Sequence, residues 1–284
     1  MTDLSLAEVD RIVAQALAED LPWGDVTSDN LIPLDQQGTG RIEARQDGVL
    51  AGLSVARAVF AQVDPHVSFV PRCADGARLS PGQTIAELSG PLRSLLRGER
   101  VALNFLQRMS GIATITARYV AALEGFQCRV VDTRKTTPGL RLFEKYAVKV
   151  GGGQNHRYCL SDAVLIKDNH LAALRLRGID LAPAVIELRR HLPHTFTIEV
   201  ETETIEQVQD ALIAGADAIL LDNMSPEMMT EAVRLADHRA ILEASGGITL
   251  DTIRAVAETG VDLISVGALT HSVRALDLAL EITV

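Results

Sequence analysis

Positive charge is in deficit in this chain of 284 residues: 27 Lys and Arg stand against 37 Asp and Glu, a formal net charge of -10. Such a surface repels nucleic acid and anionic membranes, so an anionic partner must be small and captured by a local pocket. Aromatic residues make up 4% of the sequence, too few for a base-stacking surface. Cysteine is rarer still. Cys73, Cys128 and Cys159 are odd in number and lack a paired short spacing, which fits neither a disulfide framework nor a zinc site and points to a reducing cytoplasm. The stretch from Met1 to Asp20 lacks the basic start and apolar run of a signal peptide, and no apolar run approaches the length needed to cross a membrane. A soluble cytoplasmic protein is expected, with no nucleic acid or membrane partner. The hydrophobic fraction of 47% provides for a substantial core.

Periodicity divides the chain in two. Behind Ser5, apolar residues from Leu6 to Leu17 recur at helical spacing, with Glu8 placed to complete a capping box. The irregular acidic stretch EDLPWGDVTS follows, and then short apolar runs broken at Asp47-Gly48, Asp75-Gly76 and Pro81-Gly82, which read as strands joined by turns. The segment SVARAVFAQV reads as a helix on that sheet, and Pro91 to Leu123 as one or two long helices. From Cys128 the rhythm changes to nearly continuous apolar runs, CRVVD, AVLIK, FTIEV, AILLD, AILEAS and LISVG, alternating with amphipathic helices. Runs without polar alternation are strands covered on both faces, hence a parallel sheet. Glu201, Asp222, Ser245 and Gly267 follow at intervals of 21, 23 and 22 residues, each just past such a run. The expected fold is α/β: an irregular, incomplete TIM-like β/α barrel over residues 116–273, preceded by an α+β sandwich over 1–115 on which the tail 274–284 packs. A doubly wound sheet is the structural alternative.

The barrel reading delivers Arg134, Lys135, Lys167, Glu201, Asp222, Ser245 and Gly267 to the C-terminal rim, where barrels keep their chemistry. ASGGIT, with Ser245, Gly246 and Gly247, and VGALTHS, with Gly267, His271 and Ser272, occupy the last two loops, the usual phosphate site of such barrels. Glu201 and Asp222 could take Mg²⁺ directly or through water, bind sugar hydroxyls, act as acid and base, or cap helices. In an acidic chain, residues 134–170 hold seven Lys and Arg against three Asp and Glu. Arg141, Lys145 and Lys149 read as a solvated basic helix face. Arg134, Lys135, Arg157 and Lys167, with His156 beside a triple glycine at 151–153, read instead as a site for a ligand carrying several negative charges.

The motifs DTRKTTPG, KYAVKVGGGQNHR, LIKDNH, ASGGI and VGALTHS, in this order, together with EDLPWGDVTS and GERVALNFLQRMSGIAT, resemble the quinolinate phosphoribosyltransferases over nearly the whole chain. The resemblance implies transfer of phosphoribosyl from 5-phosphoribosyl 1-pyrophosphate to quinolinate with loss of CO2, giving nicotinate mononucleotide and pyrophosphate with Mg²⁺ in NAD biosynthesis. It implies a homodimer in which Arg100 reaches into the partner's site. It further implies that Arg100, Arg134, His156, Arg157 and Lys167 hold the quinolinate carboxylates and that Lys135 meets the phosphates. Glu201 and Asp222 would face ribose and Mg²⁺, while Ser245, Gly246, Gly247, Gly267 and His271 take the 5-phosphate. Rival readings are a related transferase with another aromatic acid as acceptor, an aldolase using Lys167 as a Schiff base, and a catalytically silent phosphate-binding protein.

Overall fold

The computed structural model describes residues 4–283. They form two compact units, one made of residues up to Ala117, Thr136–Gly152 and Ala268 onward, the other of Arg118–Lys135 and Gly153–Gly267.

The first unit opens with the helix Leu6–Asp20, which buries Val9, Ile12 and Val13. Ser5 precedes it, yet the expected capping box does not form: Ser5 makes no side-chain cap, and Glu8 turns instead to Arg11 at 2.7 Å. The acidic stretch EDLPWGDVTS is only partly irregular. Its end enters the short helix Val26–Leu31, whose first N-H groups are capped by Asp25. Four antiparallel strands follow in the order Leu278–Thr283, Gln37–Ala44, Thr84–Pro91, Ser68–Pro71. The C-terminal strand registers Ala44 against Leu278 and Thr39 against Thr283. The expected tail 274–284 therefore contributes a strand to this sheet, with Val284 outside the described residues. Pro91 to Leu123 is one helix, Leu92–Ala122. At Gly111 a Cβ would stand 2.2 Å from the Arg274 carbonyl oxygen, so only glycine allows that approach.

Residues 136–152 belong to this unit and carry the helix Arg141–Val150. The solvated basic face expected for it is absent: Lys145 is buried, and Arg141 and Lys149 are half-buried. The helix buries Phe143, Ala147 and Val148, and Glu144, 1% exposed, pairs with the Arg108 guanidinium. Tyr146 donates to Asp75 at 2.8 Å, and Asp75 in turn accepts the N-H groups of Gly52 and Leu53 that open the helix Leu53–Val63. Helix-surface spacing alone does not reveal a helix packed on more than one side.

The second unit contains six parallel strands, one for each apolar run: Arg129–Val131, Val164–Ile166, Ile198–Thr202, Ala218–Asp222, Ile241–Ser245 and Leu263–Ser265. From the second to the sixth each pairs with its successor, and the sixth returns to the first through Leu263–Arg129 and Ser265–Val131. The sheet therefore winds in one direction and has the first and second strands as its two edges. The opening lies between the first and second strands, where Val131 forms an isolated parallel bridge with Gln154. The barrel is thus irregular and incomplete, as the count of six runs predicts.

Candidate active site

Polar residues stand at the end of each barrel strand or directly after it, Asp132 after Val131 and Lys167 after Ile166. Asp132, fully buried just past the first strand, accepts the Asn155 side-chain amide at 2.6 Å and the His156 N-H at 2.9 Å. It thereby fixes the chain that follows the triple glycine, of which Gly152 alone has a positive φ, 90°. Lys167 directly follows the second strand, and its Nζ donates to the Glu201 carboxylate at the end of the third. Asp222 ends the fourth strand and accepts from Asn223 at 2.9 Å, while the Asn223 backbone N-H donates to Ser245 at the end of the fifth.

At this rim lies a cavity of about 410 Å³. Eight of the residues singled out in the sequence line it: Arg134, Lys135, His156, Arg157, Lys167, Glu201, Asp222 and Ser245. Arg157 is held below its ordinary range, first by burial and then by the neighbouring Arg134. Two guanidiniums crowded in one wall are stabilised by an anion between them. Gly246 and Gly247 follow Ser245 with φ of 103° and 61°, and the loop runs on before the helix Ile253–Ala257, so these glycines do not sit at a helix N-terminus. Gly267 directly precedes the short helix Ala268–His271. His271 and Arg100 belong to the first unit; both are exposed, and His271 meets the Ser272 hydroxyl at 2.7 Å.

Family models match both parts of the chain: the quinolinate phosphoribosyl transferase N-terminal domain over residues 25–110 and the C-terminal domain over 112–281. The chain belongs to the quinolinate phosphoribosyltransferase family. It is 43% identical to the probable nicotinate-nucleotide pyrophosphorylase (carboxylating) of Bacillus subtilis, over 97% of this chain and 94% of that one. It is also 43% identical to the nicotinate-nucleotide pyrophosphorylase (carboxylating) of Mycobacterium leprae, covering 95% of each. Among solved structures, NadC from Streptococcus pyogenes superposes with a TM-score of 0.94 at 43% identity, covering 100% of this chain and 99% of that one.

Sequence reasoning missed part of this quinolinate phosphoribosyltransferase site. Glu199 and Glu243 lie within the runs FTIEV and AILEAS, and their carboxylates approach His156 Nε2 at 3.1 and 3.3 Å. A glutamate inside an otherwise apolar strand buried on both faces was the available signal. Burial opposes charge on His156, but its hydrogen bonds to Glu199 and Glu243 and their negative charge outweigh it and push the group up to about 10, so the imidazole is charged at neutral pH. The three ligand atoms lie within 4.8 Å of one another, close enough for a metal ion. Ser265, on the sixth strand, is another cavity residue that no motif marked.

Proposed function

We propose that this chain transfers the phosphoribosyl group of 5-phosphoribosyl 1-pyrophosphate to quinolinate and releases CO2, giving nicotinate mononucleotide and pyrophosphate for NAD synthesis. One observation carries the reading: four cations, Arg134, Lys135, Arg157 and Lys167, share one cavity with two rim carboxylates, Glu201 and Asp222. A dicarboxylate and a polyphosphate need the cations, and a sugar that becomes positive during transfer needs the carboxylates.

Arg134, Arg157 and Lys167, with His156 beside them, orient the quinolinate carboxylates so that the pyridine nitrogen faces the anomeric carbon, and this positioning supplies much of the rate. As the bond to pyrophosphate breaks, Glu201 and Asp222 stabilise the charge left on the ribose, and Lys135 meets the departing phosphates. Ser245, Gly246, Gly247, Gly267 and His271 are assigned to the 5-phosphate. Once glycosylated, the ring nitrogen is quaternary and accepts the electron pair released from the bond to CO2, after which the ring carbon takes up a proton. Glu201 and Asp222 are also the oxygen donors that fit Mg²⁺, a hard cation that keeps most of its waters and takes one or two carboxylates beside substrate phosphates. When bound, it supplies charge neutralisation for the leaving pyrophosphate.

Three free cysteines support a reducing compartment, and we assign the enzyme to the cytoplasm. No helix among the described residues is long and apolar enough to cross a membrane. The active form is taken to be a homodimer in which Arg100 of each subunit serves the other's cavity. Mixing inactive Arg100→Ala and Glu201→Gln proteins is then expected to restore about a quarter of the parent activity through hybrid dimers with one intact site. No recovery after verified subunit exchange would return Arg100 to its own subunit. For the activity itself, purified protein with quinolinate, 5-phosphoribosyl 1-pyrophosphate and Mg²⁺ should yield nicotinate mononucleotide and CO2 in equal amounts. Turnover of nicotinate in place of quinolinate would reassign the acceptor, and turnover of neither would refute the transferase reading.

A further inference from the structure

Arg108 has no task in the reaction as outlined, yet it holds two segments that have one. It lies within the helix Leu92–Ala122. Its guanidinium donates to Glu144 through Nε at 2.9 Å and through Nη2. Nη2 also reaches the Thr137 hydroxyl at 2.7 Å and the Thr270 carbonyl at 3.1 Å. Two hydrogens on that nitrogen thus serve three acceptors, with one hydrogen shared.

Thr137 and Thr270 stand just past the two points at which the chain passes from the barrel unit to the first, between Lys135 and Thr136 and between Gly267 and Ala268. Neither segment has enough regular structure to hold itself. Residues 132–140 contain no helix or strand, and the helix Ala268–His271 is a single turn, too short to satisfy its own last carbonyls. Thr137 is held twice, its hydroxyl by Arg108 and its N-H by Oε2 of Glu144 at 3.1 Å. Thr270 is fully buried, and its carbonyl is held by the same guanidinium. A planar fork can serve a carboxylate, a hydroxyl and a carbonyl at once, whereas the single ammonium of lysine is a point charge that the Glu144 carboxylate would capture.

We propose that Arg108 is a positioning residue for 5-phosphoribosyl 1-pyrophosphate: anchored on Glu144, it fixes Thr137 and Thr270 from one long helix, and so sets the segments that carry Lys135 and the residues from Gly267 to His271, without touching the substrate. That these segments meet the leaving phosphates and the 5-phosphate rests on the transferase reading; the clamp itself does not. Arg157 and Lys167, assigned to quinolinate, lie outside both segments, so the two substrates should respond unequally to its loss.

Thr137→Val tests this with little disturbance, because it removes the hydroxyl and keeps both the Arg108–Glu144 pair and the Thr137 N-H. The KM for 5-phosphoribosyl 1-pyrophosphate should rise about tenfold while that for quinolinate stays within about threefold of the parent. Thr137→Ser, which restores the hydroxyl, should bring both back to near the parent values. Arg108→Lys should show the same split. Both substitutions break one contact, so the double variant should lie within about threefold of Arg108→Lys alone. An unchanged KM in Thr137→Val, an equal rise for both substrates, or multiplied effects in the double variant would each overturn the proposal. If the parent protein turns over no quinolinate, the activity reading fails separately, and calorimetric titration with inorganic pyrophosphate and Mg²⁺ decides the role of Arg108. Binding about tenfold weaker in Thr137→Val and recovered in Thr137→Ser would support the clamp; equal affinities, or no binding by the parent, would refute it.

Discussion

Glu144→Ala should cost about 3 kcal/mol of stability, the lower end for one half of a largely buried ion pair, and should appear as a lower urea midpoint at unchanged slope. Glu144 is 1% exposed and accepts from Arg108 at both Nε and Nη2, the Nε contact at 2.9 Å, and from the Thr137 N-H at 3.1 Å. Alanine leaves the Arg108 guanidinium, 31% exposed, without its counter-charge and the Thr137 N-H without its acceptor. Arg108 would keep the Thr137 hydroxyl at 2.7 Å and the Thr270 carbonyl at 3.1 Å, which holds the effect below the upper end. A loss under 1 kcal/mol would mean that the pair is solvated in solution.

Gly246→Ala should lower kcat/KM about a hundredfold, the scale expected when a reacting group is displaced by about 1 Å. The backbone at Gly246 has φ of 103°, a region costly for any residue with a Cβ. An added Cβ would also stand 2.2 Å from Asn223 Oδ1 and 3.0 Å from the Asn223 nitrogen. Asn223 cannot move alone, because its amide donates to Asp222 and its backbone N-H to Ser245, both in the cavity wall. Strain at one glycine therefore reaches the carboxylate assigned to the ribose. Steady-state kinetics beside a thermal melt would separate a displaced site from an unfolded protein. A kcat/KM within threefold of the parent would show that Asn223 yields without moving Asp222.

The barrel was legible because a strand buried on both faces has an unmistakable composition, and each of the six runs proved to be a strand. The rim was legible for the same reason in four of the six strands, whose apolar stretches give way to Lys167, Glu201, Asp222 and Ser245. The same logic hid Glu199 and Glu243, which lie within the runs and meet His156 only through the barrel's three-dimensional pairing. Lys145 misled in the opposite direction, since a charge at helical spacing carries no mark of the protein packed around it. Cap chemistry was similarly ambiguous at Ser5 and Glu8, where a nearby arginine competed for the carboxylate. Nor did periodicity reveal that residues 136–152, lying between two barrel segments in sequence, group with the first unit.

The strand Leu278–Thr283 bears on how the protein is made. It pairs along β-strand Gln37–Ala44, more than two hundred positions earlier in the chain, and it is an edge of the antiparallel sheet. Contacts so distant in sequence close late, because the chain entropy of the intervening loop must be overcome first. During synthesis the first 117 residues can collapse and form their helices, but Gln37–Ala44 presents an unpaired edge until residues 278–283 have left the ribosome. The second to sixth barrel strands, each close in sequence to its successor, are under no such delay, whereas the first must wait for the sixth. The part of the protein translated first is thus the part completed last, and in that interval its exposed strand is open to pairing with another nascent chain.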